Sequence, residues 1–196
     1  MMYYLGLHLE QILESIFPNK FIKSIVFFLF FWLGCQDADY SLDNVSDPFN
    51  LDLAPPAIFF HPQNIADVGV GDTFSVKLYT YDLPEVAGAQ MQVLYDRGSL
   101  AVDSVSADTF FLIESMPLLF PDSSDVDGEL DVFIFSLPTE SKQNVSGTDA
   151  MARIYFSVKS PGISELRYNP SETRFVNFQN ENILIKSYGK SFVDAQ

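Results

Sequence analysis

Gly71-Asp72-Thr73-Phe74-Ser75-Val76-Lys77-Leu78, followed by Val86-Ala87-Gly88-Ala89-Gln90-Met91-Gln92-Val93-Leu94-Tyr95-Asp96, is the stretch that decides the fold. In its first half Phe74, Val76 and Leu78 alternate with Thr73, Ser75 and Lys77; in its second half Met91, Val93 and Tyr95 alternate with Gln90 and Gln92. A period of two sends successive side chains to opposite faces, so each half predicts a β-strand with one dry face and one wet face. Working outward, the same pattern predicts strands over 57–61, 73–82, 89–95, 100–106, 110–113, 130–137, 151–159, 163–168 and 182–187. The clearest is 151–159, where Ala152, Ile154, Phe156 and Val158 alternate with Arg153, Tyr155, Ser157 and Lys159. Short strands separated by turn residues, with no amphipathic helix after residue 56, predict an all-β sandwich of about nine strands. The segment 116–129 is acidic and contains proline, and reads as an insertion between the fifth and sixth strands.

The first 56 residues have a different composition. Ile25 to Leu33 is an uninterrupted apolar run of nine, preceded by Lys20 and Lys23 and followed by Gly34-Cys35. A basic flank, a short apolar core and a small residue before a cleavage point describe a secretory signal. A membrane-spanning helix needs roughly 20 apolar residues, so the run is too short to span. Leu33-Gly34-Cys35 resembles the lipobox of bacterial lipoproteins, with Trp32 standing where that pattern usually has leucine. The resemblance implies cleavage after residue 34, lipid attachment at Cys35, and, with Gln36 next, export to the outer membrane or cell surface. Cys35 is the single cysteine of the chain, so an intramolecular disulfide is ruled out. Residues 35–56 are rich in Asp, Ser, Asn and Pro and read as a flexible tether, which leaves 57–196 as the folded domain. Cleavage would remove two acidic and two basic residues and leave the net charge at −15, which excludes a nucleic-acid footprint.

The decisive stretch also resembles the opening of a cohesin domain: the Gly71-Asp72 entry to a strand, then Val86-Ala87-Gly88-Ala89-Gln90 running into Tyr95-Asp96, with Leu100 beyond. Gly147-Thr148-Asp149 and the strand after it, together with Pro161-Gly162 and the segment near Ile183-Leu184-Ile185, are similar to later parts of the same family. The resemblance implies a nine-stranded jelly-roll sandwich, close in architecture to carbohydrate-binding modules. It further implies a non-catalytic module that binds a dockerin, a small helical partner that carries its own calcium. Family members meet that partner with the flat outer face formed by the third, fifth, sixth and eighth strands. Carried over by the Tyr95-Asp96 anchor, the partner-binding residues here are Gln90, Gln92 and Leu94 on the third strand and Val132, Ile134 and Ser136 on the sixth. Phe133 and Phe135 are then expected to point into the core.

The residues themselves offer little chemistry. Only His61 remains after cleavage, beside Pro62, and no Gly-x-Ser-x-Gly elbow presents a serine to it. A zinc site needs several His or Cys ligands, which the chain does not supply. The loop from Asp122 to Glu129 contains Asp-x-Asp-Gly, but an EF-hand register would put Ile134 where a bidentate Glu is required. It reads instead as a solvated acidic loop, so no cofactor and no metal are expected. The rival to protein binding is a carbohydrate-binding module of a polysaccharide-handling system. Its sugar platform would be Tyr79 and Tyr81 on the second strand with Tyr155 on the seventh. A structural envelope lipoprotein is the third reading.

Overall fold

The structure, a computed structural model, describes residues 52–112, 116–124, 128–136 and 145–196. The signal segment, Cys35 and nearly all of the tether lie outside the described residues. The strands are β1 (Ala57–His61), β2 (Asn64–Val68), β3 (Thr73–Tyr81), β4 (Leu83–Val86), β5 (Gly88–Leu94), β6 (Leu100–Ala107), β7 (Leu118–Ser124) and β8 (Glu129–Phe135). They continue with β9 (Val145–Gly147), β10 (Ala150–Val158), β11 (Gly162–Tyr168), β12 (Arg174–Val176), β13 (Asn182–Ile183), β14 (Ser187–Tyr188) and β15 (Ser191–Ala195). The fold class is all-β, a jelly-roll sandwich, with more strand segments than the nine expected because the edges break into short pieces.

One sheet runs β14-β1-β3-β10-β6. The larger sheet is centred on β5, with β8 and then β7 on one side and β12, β13, β11, β15 and β2 reached from the other. A two-stranded ribbon, β4 with β9, closes one end. The alternation in β3, β5 and β10 does what the sequence pattern asks. Val76, Leu78, Met91, Val93, Ile154 and Phe156 are all buried between the sheets. Burying a side chain of this size stabilises the fold by roughly 1.5–3 kcal/mol. Aromatic rings cross the gap: Phe60 stacks on Tyr168 with centroids 4.3 Å apart, and Tyr95 meets Phe156 edge-on at 5.7 Å.

Two expectations are corrected. The predicted strand at 110–113 is instead a 3-10 turn, Thr109–Phe111, begun by the Asp108 carboxylate accepting from the Thr109 N–H. The turn buries both Phe110 and Phe111, whose rings meet edge-on with centroids 5.0 Å apart. The segment read as an acidic insertion carries β7, which pairs antiparallel with β8 over seven residues. Pro121 sits inside it, a placement tolerated because β7 is an edge strand with no further neighbour to receive an N–H.

Candidate protein-binding face

The outer face of the larger sheet is laid out by the register of β7, β8, β5, β12 and β11. Residues directly opposite one another share a face, so the pairings define rows. The first row is Leu118, Phe135, Gly88 and Val176; the second is Phe120, Phe133, Gln90 and Arg174. The third is Asp122, Asp131 and Gln92; the fourth runs from Glu129 through Leu94 to Arg167. Two rows are thus dominated by apolar and aromatic groups, and the next by carboxylates.

Gln90, Gln92 and Leu94 lie on this face. Gln92 offers little surface, being only 7% exposed. Its Nε2 donates to Asp131 at 3.2 Å and its Oε1 accepts from the Asn169 side chain at 2.7 Å. Gln90 Nε2 also donates to Asp131, at 3.4 Å. Val132, Ile134 and Ser136 are a correction: all three are buried, Val132 and Ile134 completely, on the core side of β8. Asp131, Phe133 and Phe135 take the outer positions instead. The reason is register. The turn between β7 and β8 closes through Gly128, whose φ of +69° suits glycine, and whose carbonyl accepts from the Tyr95 N–H at 2.9 Å. A Cβ at Gly128 would lie 2.3 Å from the Tyr95 carbonyl oxygen. With that end fixed, Glu129 falls opposite Leu94 on the wet face, and every second residue of β8 follows it.

The result is an unusual display of apolar side chains. Phe120 is 57% exposed, Leu118 40% and Phe135 38%, on adjoining strands of one sheet face. Phe135 lies over Gly88, since a Cβ there would meet its ring carbon Cδ1 at 2.4 Å. Asp122 and Asp131 stand directly opposite each other, and among the described residues no Lys or Arg reaches either within 4 Å. Like charges directly across a ladder destabilise it.

The tyrosines considered as a sugar platform lie on the other sheet, and they do not form a row. Tyr79 stacks on Phe59 at 5.4 Å, and burial, with the Asp149 and Asp108 charges, raises its pKa. The Lys77–Arg153 pair of positions lies between Tyr79 and Tyr155 along β3 and β10. Elsewhere the turn 96–99 holds the Asp96 carboxylate below its ordinary pKa, through bonds from the Ser99 hydroxyl and then the Gly98 N–H. That group is tied into its own turn. Among the described residues no cluster of His, Cys, Asp or Glu suits a metal ion.

The family model for the cohesin domain matches residues 64–182, and the chain belongs to that family. Cohesin domains are non-catalytic protein-interaction modules, and this chain is one. Among solved structures it is similar to a non-cellulosomal cohesin from the archaeon Archaeoglobus fulgidus. That match has TM-score 0.57 and 12% identity, and covers 71% of this chain and 90% of that one. It is similar also to a chain of the type I cohesin–dockerin complex Coh-OlpC-Doc435 from Clostridium thermocellum, with TM-score 0.58, 14% identity, and coverage of 71% and 94%. CaCohA2 from Clostridium acetobutylicum matches with TM-score 0.58, 17% identity, and coverage of 71% and 91%. No curated protein matches the chain by sequence.

Proposed function

We propose that this chain captures a dockerin-like protein module on the outer face of β7, β8, β5 and β12. The observation that supports the reading is the exposure of Leu118, Phe120 and Phe135 side by side on that face. An apolar patch kept at the surface, rimmed by polar groups, marks a protein contact. The contact residues are therefore Phe120, Phe133, Phe135 and Gln90, with Leu94 at the far end, in place of Val132, Ile134 and Ser136. The test is calorimetric titration of the chain with a calcium-loaded dockerin module, repeated with chelator. Binding that vanishes with chelator and with Phe120→Asp supports the reading; full-strength capture by a folded Phe120→Asp, Phe135→Asp double variant would refute it.

Cys35, following the apolar run Ile25 to Leu33, supports a lipid-anchored and exported module, with residues 35–56 giving the face reach from the membrane. Metabolic labelling with a fatty acid tests this. Label incorporated by the wild type and lost in Cys35→Ala is the expected result; equal label in both would remove the anchor.

A further inference from the structure

We infer that the partner seats one apolar side chain in a hollow beside Gly88 and sets a lysine or arginine against the Asp122–Asp131 pair. This rests on the docking face described above and adds the chemistry of what docks there. The hollow has a volume of about 230 Å³ and is bounded by Gly88, Phe133, Phe135, Arg174, Val176 and Asn180. Pockets for small ligands run from about 300 to 1,000 Å³, so this one suits a single protruding side chain. Its floor depends on glycine: the ring of Phe135 fills the space a Cβ at position 88 would need, and so forms one wall. Arg174 is held at another wall by its Nε donating to Asn182 Oδ1 at 2.5 Å. Arg174 is therefore committed at the hollow, at the opposite end from the carboxylates; Arg167, the face's other arginine, stands opposite Leu94 one row beyond Asp131, and among the described residues it pairs with no carboxylate.

Among the described residues the carboxylate end has no cation as its complement: Asp131 is met only by the amides of Gln90 and Gln92, and Asp122 faces it from the next strand. Two opposed carboxylates without a cation cost stability in the free module and offer a ready-made site for a positive group. The chain's net charge of −15 opposes a second copy of itself, or any acidic partner, at this position. Along β5 the hollow is centred near residue 89 and the acid row is at residue 92. Three residues of strand span about 10 Å. At 1.5 Å per residue, a helix covers that distance in about seven residues, two turns that return to the same side. The complementary partner therefore has an apolar residue and, about seven positions on, a Lys or Arg on one helical face.

Three synthetic calcium-loaded dockerin modules provide the probes. One carries Leu and, seven residues on, Lys; a second replaces that Lys by Glu; a third keeps the Lys and replaces the Leu by Ser. Each is titrated against the full-length chain and its Asp122→Lys variant, whose substitution is at an exposed position of an edge strand. The expected results are a preference of at least about tenfold for Lys over Glu, reversed by Asp122→Lys, and a loss of similar size with the Ser module. Equal affinity for the Lys and Glu modules, with binding still abolished by Phe120→Asp, would overturn the polarity and leave the docking face standing. Equal affinity for the Leu and Ser modules would overturn the hollow. Failure of all three modules to bind, or binding indifferent to Phe120→Asp, would overturn the docking face and this inference with it.

Discussion

The two outer faces of the sandwich have the same strand geometry and opposite internal economies. On the smaller sheet the charged groups of β3, β6 and β10 meet partners. Asp108 caps the 3-10 turn, receives Arg153 at 3.1 Å and has Lys77 at 3.8 Å; Ser157 donates to Asp103 at 2.9 Å. Its aromatic residue Phe59 is covered, with Gly189 pressed so close that a Cβ there would lie 2.6 Å from the Phe59 Cβ. On the larger sheet Phe120 and Phe135 are exposed, and among the described residues Asp131 has two amides for company, Asp122 stands opposite it, and neither meets a cation. A face that satisfies itself has nothing left to offer a partner. A face with unspent apolar area and unspent charge gains most from being covered.

The largest effect belongs to neither face but to the layer between them. Ile134→Ala should lower unfolding stability by about 2–5 kcal/mol, read from denaturant titration, because Ile134 is fully buried. Phe135→Ala, one residue away on the outside, should change stability far less; similar losses for the two would undo the assignment of β8's faces. Next in size, Phe120→Ala should weaken partner binding by about 2 kcal/mol, roughly thirtyfold, if Phe120 is a hot spot, with the unfolding midpoint nearly unchanged. On the self-satisfied face, Asp108→Ala removes a cap and two ion pairs. It should cost about 1–2 kcal/mol of stability and leave partner affinity as it was. A loss of affinity there would mean that both faces bind.

The smallest effect is alkaline. Tyr168 is buried in the core, donates to the Phe59 carbonyl at 3.3 Å, and has its pKa raised well above 10.0 by burial. Below pH 10 the phenol is neutral in folded and unfolded chains alike, and stability does not depend on it. Above pH 10 the unfolded chain releases a proton that the folded chain keeps, so stability falls by up to about 1.4 kcal/mol per pH unit. Tyr168→Phe should flatten that decline in urea titrations between pH 9 and 11. An unchanged slope would place the phenol in contact with water.

Much of the sandwich was legible because its central strands alternate cleanly: 57–61 matches β1, and 73–82, 89–95 and 151–159 fall within a residue or so of β3, β5 and β10. Alternation marks two faces of β8 without saying which is dry, and carrying the family's binding face over from the Tyr95-Asp96 anchor picks the dry one. A signal was present: Glu129 and Asp131 share the parity of Phe133 and Phe135, so the polar residues mark the wet side and Leu130, Val132 and Ile134 the dry one. β7 was missed because Pro121 reads as a breaker, and its edge position is a tertiary fact. The strands β4, β9 and β12 carry three or four residues, too few for a period to show; β2 buries only Ile65, and β15 turns Ser191 inward and Phe192 outward, against what their polarity suggests. The opposition of Asp122 and Asp131 needs the pairing of two strands, which no single strand's pattern contains.

Pro121 bears on one more property of the protein, its solubility. β7 is the outermost strand of the larger sheet on its side and carries Phe120, the most exposed phenylalanine among the described residues. A bare strand edge beside apolar surface is a template on which copies stack into fibres. Pro121 lacks the N–H that a foreign strand would need, and Asp122 adds a charge that repels its own kind on the next copy. The same two residues that disguise β7 in the sequence act as gatekeepers, letting the chain keep a sticky surface ready for a partner without polymerising through it.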